Sequence, residues 1–111
     1  MKLNILVYKN LTLGATSNPR YESEEPEKVA EMTRRSVIMS EPEKIAHLVN
    51  TELYFLGTYD DETMSFEIES SPRLLIDFNK ILDERKIRLA ILDQVQKARE
   101  SKASEDSKDV N

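Results

Sequence analysis

"YFLGTYDDETMSFEIE", residues 54–69, decides how this chain folds. Apolar and polar residues alternate up to Tyr59, a cluster of acids interrupts them, and the alternation resumes at Met64. A period of two on either side of a short polar break predicts two antiparallel strands joined by a turn. The connection Asp60–Thr63 has an ordinary hairpin length, and Asp suits it because its carboxylate accepts hydrogen bonds from nearby backbone N–H groups. As a metal site the three acids Asp60, Asp61 and Glu62 are weak. Neither the glycine of a calcium loop nor a distant glutamate ligand accompanies them.

Working outward, "TELYFLGTY" (51–59) is one strand. Its Leu53, Phe55 and Tyr59 are expected on one face and Tyr54 and Leu56 on the other. "MSFEIE" (64–69) is its partner, with Met64, Phe66 and Ile68 expected inward and Ser65, Glu67 and Glu69 in water. "KLNILVYK" near the start is a third strand. Leu3, Ile5 and Val7 share one face, Asn4, Leu6 and Tyr8 the other, and both faces are apolar enough to place it inside a sheet or at a subunit boundary. "LTLGATSNPRYES" then reads as a loop, with continuation of the strand to Leu13 as the alternative.

"SEEPEKVAEMTRRSVIM" predicts a helix. Ser23 is the expected cap, Pro26 suits the first turn, and the early glutamates favour the positive end of the helix dipole. Val29, Met32, Ser36 and Val37 form a narrow buried stripe. "SEPEKIAHLVN" adds a short helix, with Ser40 and Glu43 at capping-box spacing and Ile45, Leu48 and Val49 on one face. From about Pro72 the period changes, and a helix of about thirty residues, roughly 45 Å long, is expected. Leu75, Phe78, Leu82, Leu89 and Leu92 lie at flawed heptad spacing, broken by Arg85, and are the expected oligomer interface. Residues 1–100 thus read as one domain and 101–111 as a disordered polar tail. The predicted class is α+β, in the order β-α-(α)-β-β-α. It has about three antiparallel strands and a long C-terminal helix.

Composition narrows the function. The chain has 111 residues, a net charge of −5, no cysteine and one histidine, His47, expected to face water. Disulfides and thiolate metal sites are excluded, and no nucleophile motif or Gly-rich phosphate loop is present. A non-enzymatic protein without a cofactor is the expectation. No apolar run approaches membrane-span length, and the N-terminus is not a signal peptide, so an intracellular protein is expected. The acidic balance argues against a protein coated in cations. Residues 1–21 nevertheless carry Lys2, Lys9 and Arg20 and no acid.

The segment His47–Phe66 resembles a pattern in the small non-structural proteins of gokushovirus-type microviruses, phages with small circular single-stranded DNA genomes. That pattern runs His-Pro-x-Asp-aromatic-x-Leu-aromatic-x-Ile/Leu-Gly-x-aromatic-Asp-Asp-x-Thr-Gly. Here His47, Leu53, Tyr54, Leu56, Gly57, Tyr59, Asp60, Asp61 and Thr63 match it. Leu48 and Asn50 stand where the family has Pro and Asp, and Met64 where it has Gly. The resemblance covers residues 1 to about 80. It implies a role in the bacterial host cytoplasm, in the switch from duplex copying to single-strand synthesis and packaging.

Two functions are weighed on these residues. The first is single-stranded DNA binding through Lys2, Tyr8, Lys9, Arg20, Tyr21, Arg34 and Arg35, cations for phosphate and rings on which bases stack. The second is docking of a phage replication or procapsid protein through the C-terminal helix. In either case a homodimer is expected, because the helix carries Ile87, Leu89, Ile91, Leu92 and Val95 with nothing in the chain to cover them.

Overall fold

The computed structural model describes the backbone of residues 1–109 and the side chains of residues 1–102. Nine elements follow in order. They are β1 (Lys2–Asn10), β2 (Ala15–Thr16), β3 (Arg20–Glu22), α1 (Pro26–Met39), α2 (Pro42–Ile45), a 3-10 turn (Ala46–Leu48), β4 (Thr51–Asp60), β5 (Ser65–Asp77) and α3 (Phe78–Asp109). The class is α+β, an antiparallel sheet with helices on one side. The sheet order is β2-β1-β4-β5, with β3 also on β1. The stretch expected to be a loop therefore holds two short strands. It folds back along the free edge of β1, pairing Lys9 with Thr16 and Ile5 with Tyr21. Strands of two and three residues show no period, which is why composition alone made them a loop.

Directly paired residues of an antiparallel ladder point to the same face. Leu6 pairs with Phe55 and Tyr8 with Leu53, and Leu53 pairs with Ile76. This face meets the helices. Leu6, Leu53 and Phe78 are fully buried in one cluster with Val29, Val37, Ile45, Phe55, Ile76 and Ile81. Between Ile5 and Leu6 the register slips, leaving Leu56 as an extra residue opposite β1. A bulge of one residue exchanges the faces beyond it. Ile5 is therefore level with Gly57 and Leu3 with Tyr59, and both pairs point away from the helices.

The bulge corrects the expected facing of the hairpin. Tyr59 does not share a face with Leu53 and Phe55. Phe66 pairs with Tyr59 and Ile68 with Gly57, so they follow the turned end of β4 onto the open face. Phe66 is 56% and Ile68 62% exposed, and Met64 is exposed at the turn, whereas all three were expected inward. The alternation was right and the face was not.

The turn keeps its special backbone. The Asp60 carboxylate accepts from the Glu62 N–H at 3.0 Å, and that bond is the first cause holding its pKa below the ordinary value. Met64 has φ 56°, a left-handed conformation that disfavours side chains. Met64→Gly is expected to stabilise the fold by about 1 kcal/mol, because glycine removes the Cβ conflict. A higher urea midpoint with unchanged slope would show it; no gain would mean that the turn relaxes around methionine.

The long helix begins six residues later than expected. Ile76 completes the core as a strand residue opposite Leu53, and the Asp77 carboxylate then accepts from the Asn79 N–H at 3.1 Å. Pro72 sits within β5 instead of opening the helix, in a stretch of four residues (69–72) set against Leu56 alone. β5 is an edge strand, where proline is tolerated. Leu75 accordingly lies on a strand. Phe78 and Ile81 anchor α3, and its Arg85 donates to the Ser40 carbonyl at 3.0 Å at the end of α1. Beyond Arg85 every described side chain is exposed, and the helix projects to give extents of 78 × 31 × 21 Å. It takes in residues 101–109 of the expected disordered tail; the rest of that tail, Val110 and Asn111, lies outside the described residues.

Capping also differs from expectation. Glu25, not Ser23, precedes α1, and Ser40 donates its hydroxyl to the Ser36 carbonyl at 2.6 Å instead of capping α2. Val29 and Val37 are buried as expected, but Met32 is exposed. No helix of the described residues is long and apolar enough to cross a membrane.

Candidate interaction surfaces

The open side of the sheet is built by alternation. Leu3, Ile5 and Val7 come from β1, Tyr21 from β3, Tyr54 and Tyr59 from β4, and Phe66, Ile68 and Leu74 from β5. Ile5 and Val7 lie on the central strand and are buried, yet they are not part of the core cluster under the helices. Tyr21, Phe66, Ile68 and Leu74 are exposed. Tyr59 stands edge-on to Tyr21 at 5.8 Å and lies 4.6 Å from Phe66, so three rings form one row across the sheet. Beside the row is a groove of about 620 Å³ lined by Val7, Lys9, Thr16, Pro19, Tyr54, Leu56 and Pro72, among others.

Acids mark both ends of this face. Glu52 pairs with Asp77 at one end, with Lys9 on its other side, and Asp61 and Glu62 follow at the turn beyond the other end, where Asp60 itself is turned to the covered side opposite Lys2. The Tyr54 hydroxyl donates to Glu52 at 2.8 Å, and that bond, with burial, raises the tyrosine pKa. At the other end the terminal ammonium of Met1 lies 2.7 Å from Asp61, a contact that raises its pKa.

The residues expected to bind nucleic acid do not form one surface. Register puts Lys9 and Tyr21 on the open face, and Tyr8 and Arg20 on the covered one. Tyr8 is half-buried, 5.8 Å from the Phe78 ring, and receives a hydrogen bond from Arg20 at 2.9 Å. Four of the five cations already hold an acid. Lys2 lies 3.7 Å from Glu67 and Arg20 lies 2.5 Å from Glu22. Arg34 bonds Glu84 and Arg35 bonds Glu31. Burial works against the Arg20 charge, but Glu22 and Tyr8 outweigh it and its pKa is raised. Of these five, only Lys9 has no ion-pair partner among the described residues. On the rim of the covered face, Arg73 stacks 4.9 Å over Phe55 and bonds Glu27 at 2.6 Å, which lowers the Glu27 pKa.

The expected oligomer interface also divides. Phe78 is fully buried within the chain, and Leu75 and Leu82 are partly buried against the same core. They hold the domain together and are not free for a partner. Leu89 and Leu92 are exposed, as are Ile87, Ile91 and Val95. His47 is exposed, and among the described residues no group of three His, Cys, Asp or Glu side chains is placed to hold a metal. What sequence reasoning missed is the open sheet face itself. Its one local signal was Gly57 inside a strand, the mark of a bulge.

Comparison with protein-family models, with curated proteins and with solved structures finds no match to this chain.

Proposed function

We propose that this chain is a non-enzymatic docking protein of a gokushovirus-type phage, acting in the host cytoplasm during the synthesis or packaging of single-stranded DNA. The observation that carries the docking reading is the open sheet face, where Tyr21, Phe66, Ile68 and Leu74 stand exposed beside an apolar groove. A contiguous apolar surface on a rigid sheet gains free energy when a partner covers it. The projecting part of α3 supplies a second such surface. The phage assignment is supported by the residues that match the family pattern. Those from Leu53 to Thr63 fall on one hairpin, where Gly57 and Asp60 have conformational tasks.

A second reading, direct binding of single-stranded DNA, is favoured by the row of Tyr21, Tyr59 and Phe66, since bases stack on aromatic faces. Against it stands the charge. Phosphate would have to displace Glu22, Glu31, Glu67 and Glu84 from the cations it needs. Fluorescence anisotropy with a labelled oligonucleotide of about 20 residues, at low and at physiological salt, separates the two readings. Docking predicts weak binding that is gone at physiological salt. Submicromolar binding with a steep salt slope would overturn it in favour of DNA.

A further inference from the structure

We infer that the two uncovered surfaces cover each other across two copies of this chain. Residues 86–102 of α3 from one protomer lie on the open sheet face of its partner, and the arrangement is reciprocal. The inference rests on the docking reading above and names its occupant.

The apolar surfaces match in kind. Ile87, Ile91 and Val95 recur every four residues and form a stripe on α3, all exposed, with Leu89 and Leu92 beside it. The open face offers Phe66, Ile68 and Leu74 and the groove by Tyr54 and Leu56. They match in length. Lys86 to Lys102 spans about 24 Å of helix, and Glu52 to Asp60 about 26 Å of strand.

They also match in charge. The helix segment carries Lys86, Arg88, Lys97, Arg99 and Lys102 against Asp93 and Glu100, an excess of three positive charges. Residues 1–85 carry ten Lys and Arg against sixteen Asp and Glu. The cations cluster towards the two ends of the segment; Glu52 and Asp77 stand at one end of the open face, beside Lys9, and Asp61 and Glu62 lie at the turn beyond its other end, beside the Met1 ammonium. The opposite net charges of helix segment and domain favour the helix and disfavour a second sheet as the occupant.

The helix cannot fold onto its own sheet face. Phe78 and Ile81 pin its first turns to the covered side, and no Gly or Pro lies between Phe78 and Lys102 to turn it round the edge. A second copy removes the obstacle, and a two-fold axis makes the contact twice in a closed dimer. Pairing of helix with helix is the poorer arrangement. Phe78 and Leu82 are engaged in the core and Arg85 with Ser40, so the described seam keeps only Leu89 and Leu92. That is too short for a coiled coil, and it would leave the sheet bare.

Sedimentation velocity on the full chain, without DNA or any other protein, tests this. The chain is expected to dimerise at micromolar concentration. Phe66→Lys sets a cation under the basic helix, and Ile91→Glu sets an acid over the acidic face. Each is expected to weaken self-association about tenfold or more while leaving the circular dichroism unchanged, because both side chains are exposed in the protomer. Mixing the two variants should restore a dimer, with one native contact and one charge-exchanged contact. A monomeric parent chain overturns the inference but leaves a foreign partner open to the docking reading. A Phe66→Lys chain that stays dimeric overturns it too, as does a mixture that associates no better than its components. Since the chain has no cysteine, Ile68→Cys and Ile91→Cys chains give an independent measurement. Mixed under mild oxidation they should form a disulfide-linked heterodimer, and linkage of Ile91→Cys only to itself would point to paired helices instead.

Discussion

Gly57→Ala is expected to destabilise the protein by about 3 kcal/mol or more, near the upper end for a single substitution. A Cβ built at Gly57 would lie 2.1 Å from the Glu67 carbonyl oxygen and 2.8 Å from the Ile68 Cα, both backbone atoms of the paired strand. Neither can swing aside as a side chain would. The backbone at Gly57 has φ 151°, a conformation close to glycine-only. Alanine must therefore open the β4–β5 ladder where it has already been bent by the bulge at Leu56. Gly14→Ala is the control. Its φ is 66°, but nothing lies within 4 Å of the added Cβ, so about 1 kcal/mol is expected. Urea unfolding of both variants measures the difference. Equal losses would mean that φ alone sets the cost and that the close approach of Glu67 is relieved by a small shift.

Gly57 also shows where the fold could be read from local pattern and where it could not. Two strands and a turn were legible in residues 54–69, because a period of two needs no tertiary information. Which face each strand presents was not. The bulge at Leu56 is defined by how β4 pairs with β1, more than forty residues away, and one extra residue is enough to turn Tyr59, Phe66 and Ile68 over. The start of α3 failed for a related reason. Leu74, Leu75 and Ile76 suit a helix or a strand equally, and the choice is made by the pairing of Ile76 with Leu53. The opposite case is β1. Both its faces are apolar in sequence, and it does run through the middle of the sheet.

Charge was less legible than hydropathy. Lys2, Arg20, Arg34 and Arg35 were grouped by type, and their neutralising partners depend on the fold. Glu67 is paired with Lys2 across the hairpin, and Glu84 reaches Arg34 from α3. Two of the pairings follow from spacing alone. Glu31 stands three and four residues before Arg34 and Arg35 on one helix, where such pairs meet. Helical spacing by itself therefore gives both arginines an acidic neighbour, and Glu84 supplies the second carboxylate. The open face, in contrast, needed the sheet, because Tyr21, Tyr59 and Phe66 come from three strands.

Phe78→Ala is expected to cost about 3–5 kcal/mol, a large part of the total stability of a domain this small. Phe78 is fully buried, touches the Tyr8 ring, and sits at the junction where β5 becomes α3. Truncation leaves a cavity between the sheet and the first turns of α3, and it also frees the anchor that fixes the direction of the projecting helix. The position is informative because its spacing with Leu82, Leu89 and Leu92 suggests an interface. An interface residue and a core residue differ in a measurable way. Loss of an interface contact lowers the melting temperature more at low protein concentration and leaves the dissociated protomer folded. Loss of a core contact lowers it at every concentration, here by more than about 10 °C. Thermal unfolding of Phe78→Ala over a hundredfold range of concentration, beside Leu92→Ala, makes the comparison. The core assignment expects a large, concentration-independent fall for Phe78→Ala and little change in protomer stability for Leu92→Ala. The reverse pattern would place Phe78 at a contact between copies and would remove the anchor on which the direction of α3 depends.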